Sequence, residues 1–151
     1  MAFKRYRGKT KYMYFKGDTA LEIRDGSLVS LTDSATLTRV RNDSTDQILG
    51  VARRNDTVTD SGLVPVEVPV ESAVEWIIDV DSDAGAADSD VGRTVNVDTT
   101  GGNSVLAGDS VGMRVDISDS VAGSVFVTGR VSATKIIGVI NNTVWHQTFD
   151  T

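Results

Sequence analysis

The sequence predicts an all-β fold, a small barrel or sandwich, carrying a basic aromatic arm at its start. Short apolar runs rich in Val and Ile recur along the chain, and several alternate with polar residues at the period of a half-buried strand. Turn-forming residues punctuate them at Asp25-Gly26, Asn55-Asp56, Gly101-Gly102-Asn103 and Asn141-Asn142. Helix is expected only as a turn or so within residues 84–90. Many short strands with this punctuation favour a closed or two-layered β architecture.

Residues 1–16 differ from everything after them. They hold six Lys or Arg (Lys4, Arg5, Arg7, Lys9, Lys11, Lys16), no acid, and the aromatics Phe3, Tyr6, Tyr12, Tyr14 and Phe15. All 21 acids fall later, so the start carries about +6 and the remainder about −12. Blocks of like charge at a terminus often act as interaction arms, and Tyr and Arg are enriched where binding energy concentrates. Residues 1–16 are therefore expected to form an arm, and residues 17–151 a β-rich domain. Residues 2–10 are too polar and basic to supply much core, so residues 1 to about 12 are expected to order only on a partner. Lys11 to Lys16 also reads as a hairpin strand with one cationic face, because Tyr12, Tyr14 and Lys16 alternate with Lys11, Met13 and Phe15.

The strands follow in order. Leu28 to Leu31 lies between Gly26 and Asp33, and residues 47–53 enclose the apolar run Ile48 to Ala52. Over residues 64–71 alternation is strict: Val64, Val66, Val68 and Val70 share one face, Pro65, Glu67, Pro69 and Glu71 the other. Pro65 and Pro69 remove N–H groups from one lateral side, which predicts an edge strand. Proline and outward acids also keep an edge from recruiting other strands. Further strands are expected over residues 74–80, 93–97, 111–117, 125–127, 135–140 and 144–149.

Composition bounds the function. A chain of 151 residues can bury a real core, losing roughly 70% of its unfolded surface. A net charge of −6 argues against a polyanion-binding body. With no cysteine there is no disulfide, thiolate nucleophile or Cys-ligated metal. No apolar run approaches the ~18 residues of a membrane span, and no apolar signal core follows the basic start, so neither membrane insertion nor secretion by the usual route is expected.

Catalytic chemistry finds little footing. The single histidine, His146, stands between Trp145 and Gln147. With no nucleophile–base pair, an enzyme is not expected. Asp79, Asp81 and Asp83 match the opening of a calcium loop, but that loop needs Gly where Ala84 stands and Glu where Asp90 stands. A solvated Asp-rich loop is the expectation, with no metal or cofactor. Basic and aromatic residues interleave in the arm as single-strand binding requires, whereas the acidic remainder would repel phosphate.

The order of segments from Lys16-Gly17-Asp18 nearly to Asn141 resembles the capsid decoration, or cement, proteins of tailed bacteriophages with the HK97-type shell. The resemblance rests on Ile48-Leu49-Gly50-Val51-Ala52, Leu63-Val64-Pro65-Val66-Glu67-Val68-Pro69-Val70 and Trp76 to Val80. Asp90-Val91-Gly92-Arg93 and Gly129-Arg130-Val131-Ser132-Ala133-Thr134-Lys135 complete it. It implies a compact β-barrel or β-tulip-like core that trimerises over three-fold and pseudo-three-fold sites, with an extended N-terminal segment reaching capsid subunits.

The expectation is thus a viral head decoration protein on the outer face of an icosahedral capsid, a homotrimer there, with the major capsid protein as partner. Phe3, Lys4, Arg5, Tyr6, Arg7, Lys9, Lys11, Tyr12 and Tyr14 would dock on the capsid, and no nucleic acid is expected. The alternative is a small β-barrel that binds single-stranded nucleic acid through the same basic aromatic start. A virion tail or baseplate β domain is a third reading.

Overall fold

The computed structural model describes residues 3–17, 23, 25–31, 36–39, 48–54, 62–71, 74–80, 85–98, 114–117 and 125–141. The fold is nearly all β, with a curled antiparallel sheet forming a half-barrel. Its strands are β1 (Phe3–Arg7), β2 (Thr10–Lys16), β3 (Leu28–Leu31), β4 (Leu37–Arg39), β5 (Gly50–Ala52) and β6 (Leu63–Pro69). They continue as β7 (Glu75–Asp79), β8 (Thr94–Asp98), β9 (Arg114–Asp116), β10 (Val125–Ser132) and β11 (Lys135–Ile140). The expected helical turn is a 3-10 turn at Asp88–Asp90. The expected strand at 144–149, His146 and the turns at 55–56 and 101–103 lie outside the described residues.

Two sheets form. One has the order β1-β7-β11-β10-β8-β9, the other β2-β6-β5-β3-β4. Their strand pairs are antiparallel, so local alternation decides which side chains face inward. Each sheet bends toward itself. Val80 bridges Val115, bringing β9 round to the end of β7, and Gly17 bridges Leu37, bringing β4 round to the end of β2.

This bending explains two cores. Trp76, Ile78, Val95, Val125, Val127 and Ile136 of the six-stranded sheet pack with Phe3, and with Leu28 and Val51 of the other sheet. The opposite face of the five-stranded sheet buries Val29, Leu37, Ala52, Val64, Val66 and Val68, with Met13 and Phe15 partly buried against them. Adjacent residues such as Val51 and Ala52 therefore enter different cores.

Two expectations are corrected. Residues 3–16 are not an arm separate from a body: β1 lies at the edge of one sheet and β2 at the edge of the other. Phe3 is fully buried, so one large aromatic supplies the anchoring that the polar remainder of β1 lacks. Met13 and Phe15 give β2 its inward face, as the hairpin-strand reading of Lys11 to Lys16 anticipates. A cut after residue 12 would therefore remove core.

The second correction concerns β6, which is interior, between β2 and β5. Arg53 N donates to Pro65 O, whereas Val70 N donates to Lys9 O. Residues 65, 67 and 69 thus turn their backbone groups toward β5, and residues 64, 66, 68 and 70 toward β2. The prolines do share one lateral side. However, β5 is short and pairs only Val51 with Glu67 and Ala52 with Val66, so the missing N–H groups flank its ladder and do not interrupt it. Gly50 makes the approach possible, because a Cβ there would collide with Glu67 O.

Candidate interaction surface

The residues singled out at the N-terminus fall into two structural roles. Gly8 separates them, joining β1 to β2 and so passing the chain from one sheet to the other. It has φ +105°, and a Cβ on it would lie 2.8 Å from Val74 Cα, so glycine is required there on both counts.

The first role is anchorage. Phe3 fills the larger core, and its N–H donates to Gly26 O over 3.1 Å. Arg5 pairs with Trp76 across the β1–β7 ladder, and its half-exposed side chain brings Nε within 3.2 Å of Glu67 Oε2. Glu67 is only 3% exposed, yet its carboxylate is well satisfied. Arg53 Nε donates to Oε1 and Thr10 Oγ1 to Oε2, each over 2.8 Å. Arg53 also donates to Phe3 O over 2.7 Å, and its guanidinium lies 5.7 Å from the Trp76 ring centroid. One buried carboxylate therefore ties β1, β2, β5 and β6 together. A buried charge is tolerable only with this density of partners.

The second role is display. Lys4, Tyr6, Arg7, Lys11, Tyr12, Tyr14 and Lys16 are exposed, and Lys9 is exposed at the turn between the strands. Tyr12 is 51% and Tyr14 61% exposed, unusual values for large aromatics on regular strands. Leu63, paired with Lys16, extends this apolar surface and is 58% exposed. On β1, Arg7 stacks 5.1 Å from the Tyr6 centroid and lies 3.6 Å from Glu75. The hydrogen bond to the Tyr6 hydroxyl, with Glu75 adding to it, raises the Arg7 pKa further above its already high ordinary value. Lys9 is held through its backbone, whose N–H donates to Glu71 Oε1 over 2.8 Å.

Of the nine residues proposed to dock on a capsid, Phe3 is core and Arg5 is engaged with Glu67. Lys4, Tyr6, Arg7, Lys9, Lys11, Tyr12 and Tyr14 remain on the surface. Glu67, Arg53 and Thr10 were not recognisable in advance as a unit. The one local sign is a single Glu between two prolines in a Val-rich strand.

The described acids of the Asp-rich stretch are held by cations or backbone. Asp79 pairs with Lys135 and Asp90 with Arg93, while Asp88 lies 3.6 Å from Arg130. Asp90 Oδ2 also accepts from Ala87 N over 2.8 Å, closing the 3-10 turn. Among the described residues no group of three or more metal-ligating side chains converges, and no helix is long and apolar enough to cross a membrane. Comparison with protein-family models, curated proteins and solved structures returns no match.

Proposed function

We propose that this chain is a head decoration protein that binds the outside of an expanded icosahedral capsid and stabilises it against internal pressure. One observation carries the reading. A strip of exposed cations and aromatics, from Lys4 to Lys16, projects from strands tied into both sheets of an otherwise acidic protein. Such a strip can transmit load, because pulling on it pulls on two sheets and a buried ion-pair cluster rather than on a tether. Each subunit would bridge neighbouring copies of the major capsid protein, and a homotrimer on the capsid would multiply weak contacts through effective concentration. The reading assigns the chain no catalytic step and no cofactor, and places it on the virion surface.

The test is co-sedimentation with empty expanded shells, followed by counting copies on intact particles. A copy number comparable to that of the major capsid protein is expected, and absence from particles rejects the proposal. The exposed Tyr12 and Tyr14 beside Lys11 and Lys16 also favour a second reading, a stacking platform for single-stranded nucleic acid. Salt-sensitive binding to a single-stranded oligonucleotide, without shell binding, would select it.

A further inference from the structure

β2 pairs with β6 on one side and, among the described residues, with no strand on the other. Because Lys9 O accepts from Val70 N, the odd-numbered residues of this segment face β6, and Thr10, Tyr12, Tyr14 and Lys16 turn their backbone groups away from it. Among the described residues no strand pairs with that side, and the edge meets its own sheet only at Gly17, which bridges Leu37. The β2–β6 register runs unbroken from Thr10 with Pro69 to Lys16 with Leu63. The strand contains no proline and its ladder has no bulge; its protection against like strands is charge, from Lys11 and Lys16. The other N-terminal edge, β1, does have a bulge, between Arg5 and Arg7.

We propose that β2 is a strand-addition site for an extended acidic segment of a partner polypeptide. Backbone N–H and C=O groups of Tyr12 and Tyr14 would pair with the incoming strand, the Tyr12 and Tyr14 rings would cover its apolar side chains, and Lys9 and Lys11, on the other face, would pair with its carboxylates. Charge selects this occupant. A second copy of β2 would add more lysines to this edge with no carboxylate to offset them, whereas an acidic strand relieves them. The site does not depend on the virion reading, since any acidic extended segment satisfies its chemistry.

The test uses the full chain and acetylated, amidated heptapeptides alternating Glu with Val, together with the corresponding Lys–Val peptides. N-methylation of the peptide amides that would face β2 is expected to weaken binding about tenfold or more. N-methylation of the alternate amides should leave binding unchanged, and the Lys–Val peptides should not bind. On the protein, Tyr14→Pro removes an outward N–H while sparing the β6 ladder, so it should bind about tenfold more weakly than Tyr14→Ala. Circular dichroism would establish that both variants fold, and the N-methylated peptides decide the matter if the proline variant does not.

Equal binding of the two N-methylated peptides, or no binding of any acidic peptide, overturns the proposal. So does strong amide-exchange protection of Tyr12 and Tyr14 in the free protein, which would mean that the chain covers its own edge. Concentration-dependent dimers abolished by Tyr14→Pro would assign the edge to a second copy. Binding of oligothymidine lost equally in Tyr14→Ala and Tyr14→Pro, with no peptide binding, would assign it to nucleic acid.

Discussion

β1 and β2 are consecutive, both basic, both aromatic and both at sheet edges, yet they do opposite things. β1 sends Phe3 into the larger core and Arg5 to a buried carboxylate, and its ladder is bulged. β2 sends only Met13 and Phe15 partway inward, keeps an unbroken ladder with β6, and leaves Tyr12 and Tyr14 outside. Thus a charged strand can anchor a fold when one aromatic reaches the interior and one cation reaches a buried carboxylate. A similar strand without deep burial becomes a surface. Substitution of Phe3 should therefore register in stability, and substitution of Tyr12 or Tyr14 in binding.

The largest effect is expected from deleting residues 2–12. This removes β1 entirely and Thr10 to Tyr12 from β2, with Phe3 lost from the core and Glu67 deprived of Arg5 and Thr10. Loss of a cooperative unfolding transition is the expected outcome by circular dichroism. A folded, cooperative product would show that β1 is not an anchor.

Phe3→Ala isolates the aromatic. Truncating a fully buried Phe should cost about 3–5 kcal/mol in urea denaturation. A cost below about 1 kcal/mol, the scale of an ordinary surface substitution, would place Phe3 outside the core.

Glu67→Gln isolates the carboxylate. It leaves Arg53, whose side chain is 11% exposed, without its closest charge partner. Breaking such a buried pair should cost about 3 kcal/mol, somewhat less than the loss of Phe3 because Gln can still accept hydrogen bonds. Arg5→Ala should cost far less, about 1 kcal/mol or below, because that side chain is 49% exposed and solvent screens its pair. Equal losses for Arg5→Ala and Arg53→Ala would contradict the graded burial.

The smallest stability change belongs to Tyr12→Ala and Tyr14→Ala, each within about 0.5 kcal/mol of the parent. Both should nevertheless weaken shell binding, by roughly 1–3 kcal/mol if the rings fill partner pockets. Binding by the double variant at parental strength would remove β2 from the docking surface.

Local pattern was enough for much of this fold. The alternation of Val64, Val66 and Val68, and of Met13 and Phe15 with Tyr12 and Tyr14, correctly predicts strands and their inward faces, because side chains on a strand alternate whatever its neighbours are. The all-β class follows from the same period. β4 and the full length of β10 were not legible: three residues carry too little periodicity, and Gly129 and Arg130 interrupt the apolar pattern where the β10–β11 register shifts.

For the candidate surface, the sequence by itself determined the charge segregation and the crowding of aromatics into the first sixteen residues. Tertiary structure decided which of those residues anchor and which are displayed. It also decided that the Pro65–Pro69 strand is interior and that Glu67 is buried. The reason is distance along the chain. Glu67 meets Thr10 from 57 residues away and Arg53 from 14, and β6 is flanked by β5, the strand just before it, and by β2, from near the start of the chain. Local alternation specifies two faces, but only long-range pairing decides what covers each one.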